Sequence, residues 1–219
     1  MKMILTLVFA VLMTGSQASA DLILTAVVDA TLSGGTPKVL EFFATDDIPD
    51  LSIYGVELVS NAASTAGVVE TAFSGSILAG EYYYVGTEAA NFTSVLGFAP
   101  DLTTNDVNHN GDDDFYIYEN GILVDVWSGS DGVDNTGTAT DIIDSYAYRI
   151  SNTGPNSTFT ASDWTIAAPN TLDGLDAAGI AAAVPFGTFT APLTSNVPEP
   201  SSIALLGLVG LAGAIRRRK

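Results

Sequence analysis

Along the chain, short stretches rich in β-branched and aromatic residues alternate with clusters of Gly, Asn, Asp and Pro; the clearest are residues 22–28, 39–44, 51–59, 82–86, 115–118, 122–127 and 146–150. Short strands punctuated by turn residues at a spacing of roughly 8–12 residues are the mark of a sandwich or barrel. The best local signal is Asn120-Gly121. Asn-Gly supplies both positive-φ positions of a type I′ turn, so residues 114–119 and 122–127 are predicted to pair as a hairpin. On its first arm Phe115, Ile117 and Glu119 alternate with Tyr116 and Tyr118. Helical patterning is thin: residues 175–183 are the one candidate, and Gly179 weakens it. The pattern predicts an all-β sandwich over residues 21–190, then a short linker over 191–197.

The two ends break this pattern. Residues 1–20 read as a secretory signal peptide: Lys2 is the charged start, 4–13 the apolar run, and Ala18-Ser19-Ala20 the small-residue site, with cleavage between Ala20 and Asp21. The other end reads Val197-Pro198-Glu199-Pro200-Ser201-Ser202, then an apolar stretch to Ile215, then Arg216-Arg217-Arg218-Lys219. A helix over 202–215 would span roughly 21 Å against a hydrocarbon core of about 30 Å. It is a marginal transmembrane anchor, held by the basic cluster on the cytoplasmic side.

This three-part tail closely resembles the PEP-CTERM sorting signal of Gram-negative bacteria. The resemblance covers residues 198–219, with Pro198, Glu199 and Pro200 as the motif and Arg216, Arg217, Arg218 and Lys219 as the basic end. It implies recognition by an exosortase, a membrane-embedded cysteine transpeptidase-like enzyme. The implied route is export through the inner membrane, transient anchoring there, cleavage near the motif, and delivery to the cell surface or extracellular matrix.

Composition narrows the function classes. The chain has 219 residues, 25 acids against seven Lys and Arg, and a net charge of −18. Between residues 21 and 196 only Lys38 and Arg149 face 24 acids. A nucleic-acid partner needs Lys and Arg to neutralise phosphates, and this body has almost none. The absence of cysteine removes disulfide scaffolds and thiolate metal sites. A single histidine, His109, excludes a two-His metal centre and leaves little room for a Ser-His-Asp site. No catalytic residue and no cofactor beyond weak calcium is therefore expected.

The order of the strand segments resembles the lamin-tail domain, an immunoglobulin-like sandwich found in nuclear lamins and in bacterial secreted proteins. The matching residues are Leu22-Ile23-Leu24-Thr25, Pro37-Lys38-Val39-Leu40-Glu41-Phe42-Phe43, Leu51-Ser52-Ile53-Tyr54-Gly55-Val56, Asn110-Gly111-Asp112-Asp113 before the hairpin, Val124-Asp125-Val126 and Tyr146-Ala147-Tyr148-Arg149, with Phe159 to Trp164 after them. The resemblance implies a binding or structural module without catalytic residues. Its partner would be an extracellular polysaccharide or a surface protein. The alternative is a secreted hydrolase or carbohydrate-binding protein on the same sandwich.

Several residues carry a sharp and a plain reading. Asp106, Asn108 and Asn110, followed by Gly111 and Asp112, match the opening of a calcium loop, but Ile117 stands where a bidentate Glu belongs. The plain reading is an Asn/Gly turn with solvated acids. The second acidic loop, within 125–144, reads as a polar crossover. His109 lies among carboxylates, which would favour its charged form. Arg149 is a ligand clamp or a structural ion pair. Trp127 and Trp164 form a sugar platform or belong to the core.

Overall fold

The computed structural model describes residues 21–191, and the predicted signal peptide and transmembrane sorting helix lie outside them. Ten strands form two sheets. The larger has the order β10-β9-β1-β2-β5-β6 and the smaller β4-β3-β7-β8. Their ranges are β1 Leu22–Leu32, β2 Thr36–Ala44, β3 Tyr54–Val59, β4 Thr71–Ala72, β5 Tyr82–Gly86, β6 Leu102–Thr103, β7 Asp114–Glu119, β8 Ile122–Trp127, β9 Tyr146–Arg149 and β10 Trp164–Ile166. All neighbours are antiparallel except β5 and β6. No helix among the described residues is long and apolar enough to cross a membrane.

The sheets pack face to face. Leu22, Leu24, Val27, Leu40 and Phe42 of the larger meet Tyr54, Val56, Phe115, Ile117 and Trp127 of the smaller. The larger sheet's other face is also covered, by α1 (Ala90–Leu96), α2 (Ala177–Ala183) and the chain beyond, through Phe92, Ile180, Val184 and Phe189. Burial on both faces explains why β1 and β2 read as near-continuous apolar runs rather than alternating ones.

Two bulges set which side chains turn inward. In β1 the register skips Thr25, so the inward set changes from Leu22 and Leu24 to Val27. In β8 it skips Val124, pairing Asp125 with Ile117, whose side chain is in the core. Without this extra residue Asp125 and Trp127 would face outward. Instead both are fully buried.

The inward Asp125 meets Arg149 of β9. One terminal guanidinium nitrogen, Nη2, donates to both Asp125 carboxylate oxygens at 2.7 Å. Arg149 Nε also donates to the Leu24 carbonyl (2.6 Å), Nη1 donates to that of Gly154 (2.8 Å), and the guanidinium lies 4.4 Å from the Trp164 ring centre. Asp125 accepts three further backbone N–H bonds, from Leu24, Val126 and Asn156. Every polar atom of this pair has partners, which is the condition for charges at this depth.

The predicted hairpin is present, with Asn120 at φ 50° and Gly121 at φ 76° as type I′ requires. Its faces divide as the alternation indicates: Phe115 and Ile117 lie between the sheets, while Tyr116 and Tyr118 join Val59 and Val126 in an outer cluster. The expected strand 51–59 is shorter. Residues Leu51–Ile53 form a 3₁₀ turn, capped by Asp50 accepting from the Ser52 N–H. The helix expected at 175–183 is α2, with Asp176 accepting from the Gly179 N–H at 2.8 Å. Helix α1 sets Phe92, Val95 and Leu96 at i, i+3 and i+4 against the sheet, a single repeat too short to announce it in the sequence; Glu88 accepts from the Asn91 and Phe92 N–H groups, and Gly97 closes it at φ 82°.

Asp125→Asn is expected to leave Arg149 buried without a countercharge and to destabilise the body by about 3–5 kcal/mol. Urea unfolding followed by tryptophan fluorescence measures this. Asp125→Leu combined with Arg149→Met should recover part of the loss.

Candidate functional site

The acidic segment after β6 gathers most of the chemistry singled out by sequence. Its four candidate calcium ligands do not share one focus. Asp106 accepts from the hydroxyls of Thr71 and Thr104, closing a 3₁₀ turn against β4. Asp112 accepts from the Thr136 hydroxyl at 2.6 Å, in the second acidic loop. Asn108 and Asn110 are exposed. Among the described residues no three His, Asp or Glu side chains are grouped to hold a metal ion. Gly111 does make the sharp turn, at φ 92°, and a β-carbon there would lie 2.4 Å from the Ile143 nitrogen. Gly111 also receives the Ile142 N–H at its carbonyl, so the first acidic loop is pinned to the end of the second.

The second loop is tied down by its own polar groups. Asn135 Nδ2 donates to Asp114 at 2.7 Å, the Gly137 N–H donates to Asp141, and the Ser128 hydroxyl donates to Thr140. Burial pushes the carboxyls of Asp113 and Asp114 above their ordinary range, opposed for Asp113 by the Asn110 and Asn61 N–H groups and for Asp114 by Ser128 and Asn135. The loop is a hydrogen-bonded crossover from β8 to β9.

His109 differs from its expected state. Its ring is buried edge-on to Phe115, centroids 5.2 Å apart, away from the carboxylates beside it in sequence. Nδ1 accepts from the Gly111 N–H at 3.2 Å, which leaves Nε2 to donate to the Val28 carbonyl, also at 3.2 Å. Burial, helped by the Lys38 charge, pulls its pKa down to about 3, so desolvation outweighs any carboxylate attraction and the ring is neutral.

Both side-chain cations of the body are structural. Arg149 is the ion pair described above, and Lys38 pairs with Asp29, which also accepts from the Asp144 N–H. Trp127 and Trp164 are core residues in a T-shaped contact of 4.9 Å, which removes them as a sugar platform.

Sequence reasoning missed three buried acids: Asp29, the partner of Lys38, and Glu41 and Glu57. Glu41 lies under the helix layer, accepting from the Thr25 hydroxyl (2.7 Å) and the Gly187 N–H (2.8 Å); burial pushes it up, against these bonds. Glu57 accepts from Thr65, Ala66 and Tyr118; burial alone would raise it, but these bonds hold it below its ordinary range. The only sequence signal for Glu41 is one acid inside an otherwise unbroken apolar run.

Pro198, Glu199, Pro200, Arg216, Arg217, Arg218, Lys219 and Ala20 lie outside the described residues; Asp21 is the first within them. Compared with known families, residues 196–219 match the model of the PEP-CTERM protein-sorting motif. The chain ends in a PEP-CTERM motif. That motif implies recognition by an exosortase, association with a membrane, and export and sorting to the cell surface or extracellular space. No curated protein and no solved structure matches the chain. The PEP-CTERM match covers the tail alone, so the body's reading rests on its own geometry.

Neutral His109 ties stability to pH. Its folded pKa is depressed from 6.5 to about 3, so its contribution is complete above pH 6.5 and is lost as pH falls towards 3. The full effect is on the order of 4–5 kcal/mol. Melting curves between pH 7 and 3.5 should show His109→Gln less stable at pH 7, with a shallower acid decline than the wild type.

Proposed function

We propose that this protein is a secreted, exosortase-sorted surface or matrix protein whose body is a non-catalytic binding or structural module of immunoglobulin-like, lamin-tail-like type. The PEP-CTERM motif at residues 196–219 carries the sorting half of this reading. The signal peptide fits the fold: β1 begins at Leu22, fully buried, so a cut between Ala20 and Asp21 spares the whole strand.

Strand connectivity supports the immunoglobulin-like reading. In order, β1, β2 and β5 are neighbours in one sheet, as strands A, B and E are in that fold. In the other, β3, β7 and β8 follow C, F and G, with β4 beside β3 where C′ belongs. Strands β9 and β10 extend the first sheet beyond β1, and the helix layer covers its outer face.

The non-catalytic reading is supported by where the perturbed groups are spent. Asp125, Lys38, Glu41, Glu57 and His109 each have their polar atoms in bonds that hold strands or loops together. A general acid or base needs an atom free to meet a substrate. Polysaccharide or another surface protein remains the partner class this reading assigns.

Calcium binding to Asp106, Asn108, Asn110 and Asp112 is at most of the weak extracellular class, with Kd no tighter than about 10⁻⁴ M. Calorimetry of the exported protein at millimolar Ca²⁺ checks this, and sub-micromolar affinity would contradict it. The sorting reading has its own test. With Pro198-Glu199-Pro200 as the recognised element, replacing it by Gly-Ser-Gly should leave export intact but block tail removal. Fractionation should then find the uncut chain in the inner membrane. Normal maturation of this variant would leave only a plain anchor.

A further inference from the structure

The corner where β1 begins is short of positive charge. Asp21 is fixed there by its carbonyl, which accepts from the Thr45 N–H (2.7 Å) and the Thr45 hydroxyl (3.2 Å). Its backbone nitrogen donates to the Tyr54 hydroxyl at 3.2 Å. Tyr54 is buried at the start of β3, and the β3–β7 register sets Glu119 directly opposite it, on the same face. Asp21 and Asp46 add two more carboxylates.

These groups perturb one another. Burial raises the Tyr54 hydroxyl, and the Glu119 charge raises it further. Partial burial and the Asp46 charge raise the Asp21 carboxyl. No side-chain cation of the body is left to relieve this, because Lys38 and Arg149 are both paired elsewhere.

We propose that cleavage between Ala20 and Asp21 completes a structural cation site, in which the freed α-ammonium of Asp21 sits on the Tyr54 hydroxyl and neutralises the corner formed by Asp21, Asp46 and Glu119. Hydrolysis of the Ala20–Asp21 peptide bond consumes one water; the carboxylate leaves with Ala20 and the amine stays on Asp21. The uncut amide offers one N–H and no charge. The ammonium offers three donors and a full positive charge at the same atom, so one bond to Tyr54 remains and two are free for carboxylates. Removal of the signal peptide thereby strengthens the mature fold as well as releasing it.

The inference rests on the signal-peptide reading, and the experiment separates the two. The exported protein is purified and its first residue determined. Glu119→Gln and Asp46→Asn are then placed in the wild type and in a chain with Gly-Ser inserted after Ala20, which moves the amine about 7 Å away. At pH 7 each substitution should lower the melting temperature by about 2–4 °C with the native terminus and by clearly less with the extension. The groups facing the amine are the Asp21, Asp46 and Glu119 carboxyls and the Tyr54 hydroxyl. The coupling should be present at pH 7, where an α-amine is mostly charged, and fade as rising pH deprotonates the amine. Equal melting shifts with and without the extension, with Asp21 first, would overturn the inference alone. A first residue other than Asp21 would overturn the cleavage reading and this inference with it.

Discussion

The arrangement hangs on one buried ion pair. Asp125 belongs to the edge of the smaller sheet, and Arg149 to β9 of the larger. Between them they bond both backbone groups of Leu24 in β1, so three strands from two sheets meet at one guanidinium. Apolar packing is tolerant of small slips, but a planar guanidinium whose three nitrogens are each committed to a different residue is not. The pair therefore specifies the sheets' relative position more than it adds net stability, since desolvating two charges offsets much of their attraction. The β8 bulge is what makes it available, because one residue fewer would send Asp125 to the outer face.

The same economy governs the rest of the charge. The body has two side-chain cations, and the fold buries both in ion pairs between strands. Its surface is consequently almost entirely anionic in its charged groups. Such a domain repels copies of itself when crowded at a cell surface. The buried acids are handled differently, by hydroxyls and backbone N–H groups. Glu41 fastens the segment after α2 to β2, and Glu57 fastens the loop after β3, so acid side chains serve as hooks for irregular chain.

What could be read in the sequence was the part fixed by local chemistry. Asn120-Gly121 dictates its turn whatever surrounds it, and the apolar runs of β1, β2, β5 and β8 needed only a sheet to join. The departures have one physical origin, which is contact between residues distant in sequence. His109 looked charged because its neighbours along the chain are acids, yet its neighbours in space are Phe115 and the Val28 carbonyl. Helix α1 forms because Phe92, Val95 and Leu96 find an apolar sheet face beneath them, a cause that one short repeat in seven residues does not reveal. The three-residue β10 is held by β9 and by the stacking of Arg149 on Trp164. The sorting tail was legible because its signal lies in the order of its parts along the sequence, read by another protein.

The same separation holds at the end of the body, where the described fold closes before the matched tail begins. The body fastens its chain up to Thr190, whose carbonyl accepts from the Asn152 N–H and whose N–H donates to the Ser151 hydroxyl. Just before it, Phe189 fills the helix-side core and its carbonyl accepts from Tyr82. The PEP-CTERM match begins at residue 196, five residues past the last described position. A cut at Pro198-Glu199-Pro200 therefore removes none of the bonds that close the described fold. The bonds that close the domain and the signal that sorts it thus occupy separate stretches of the sequence, so recognition of one need disturb none of the other.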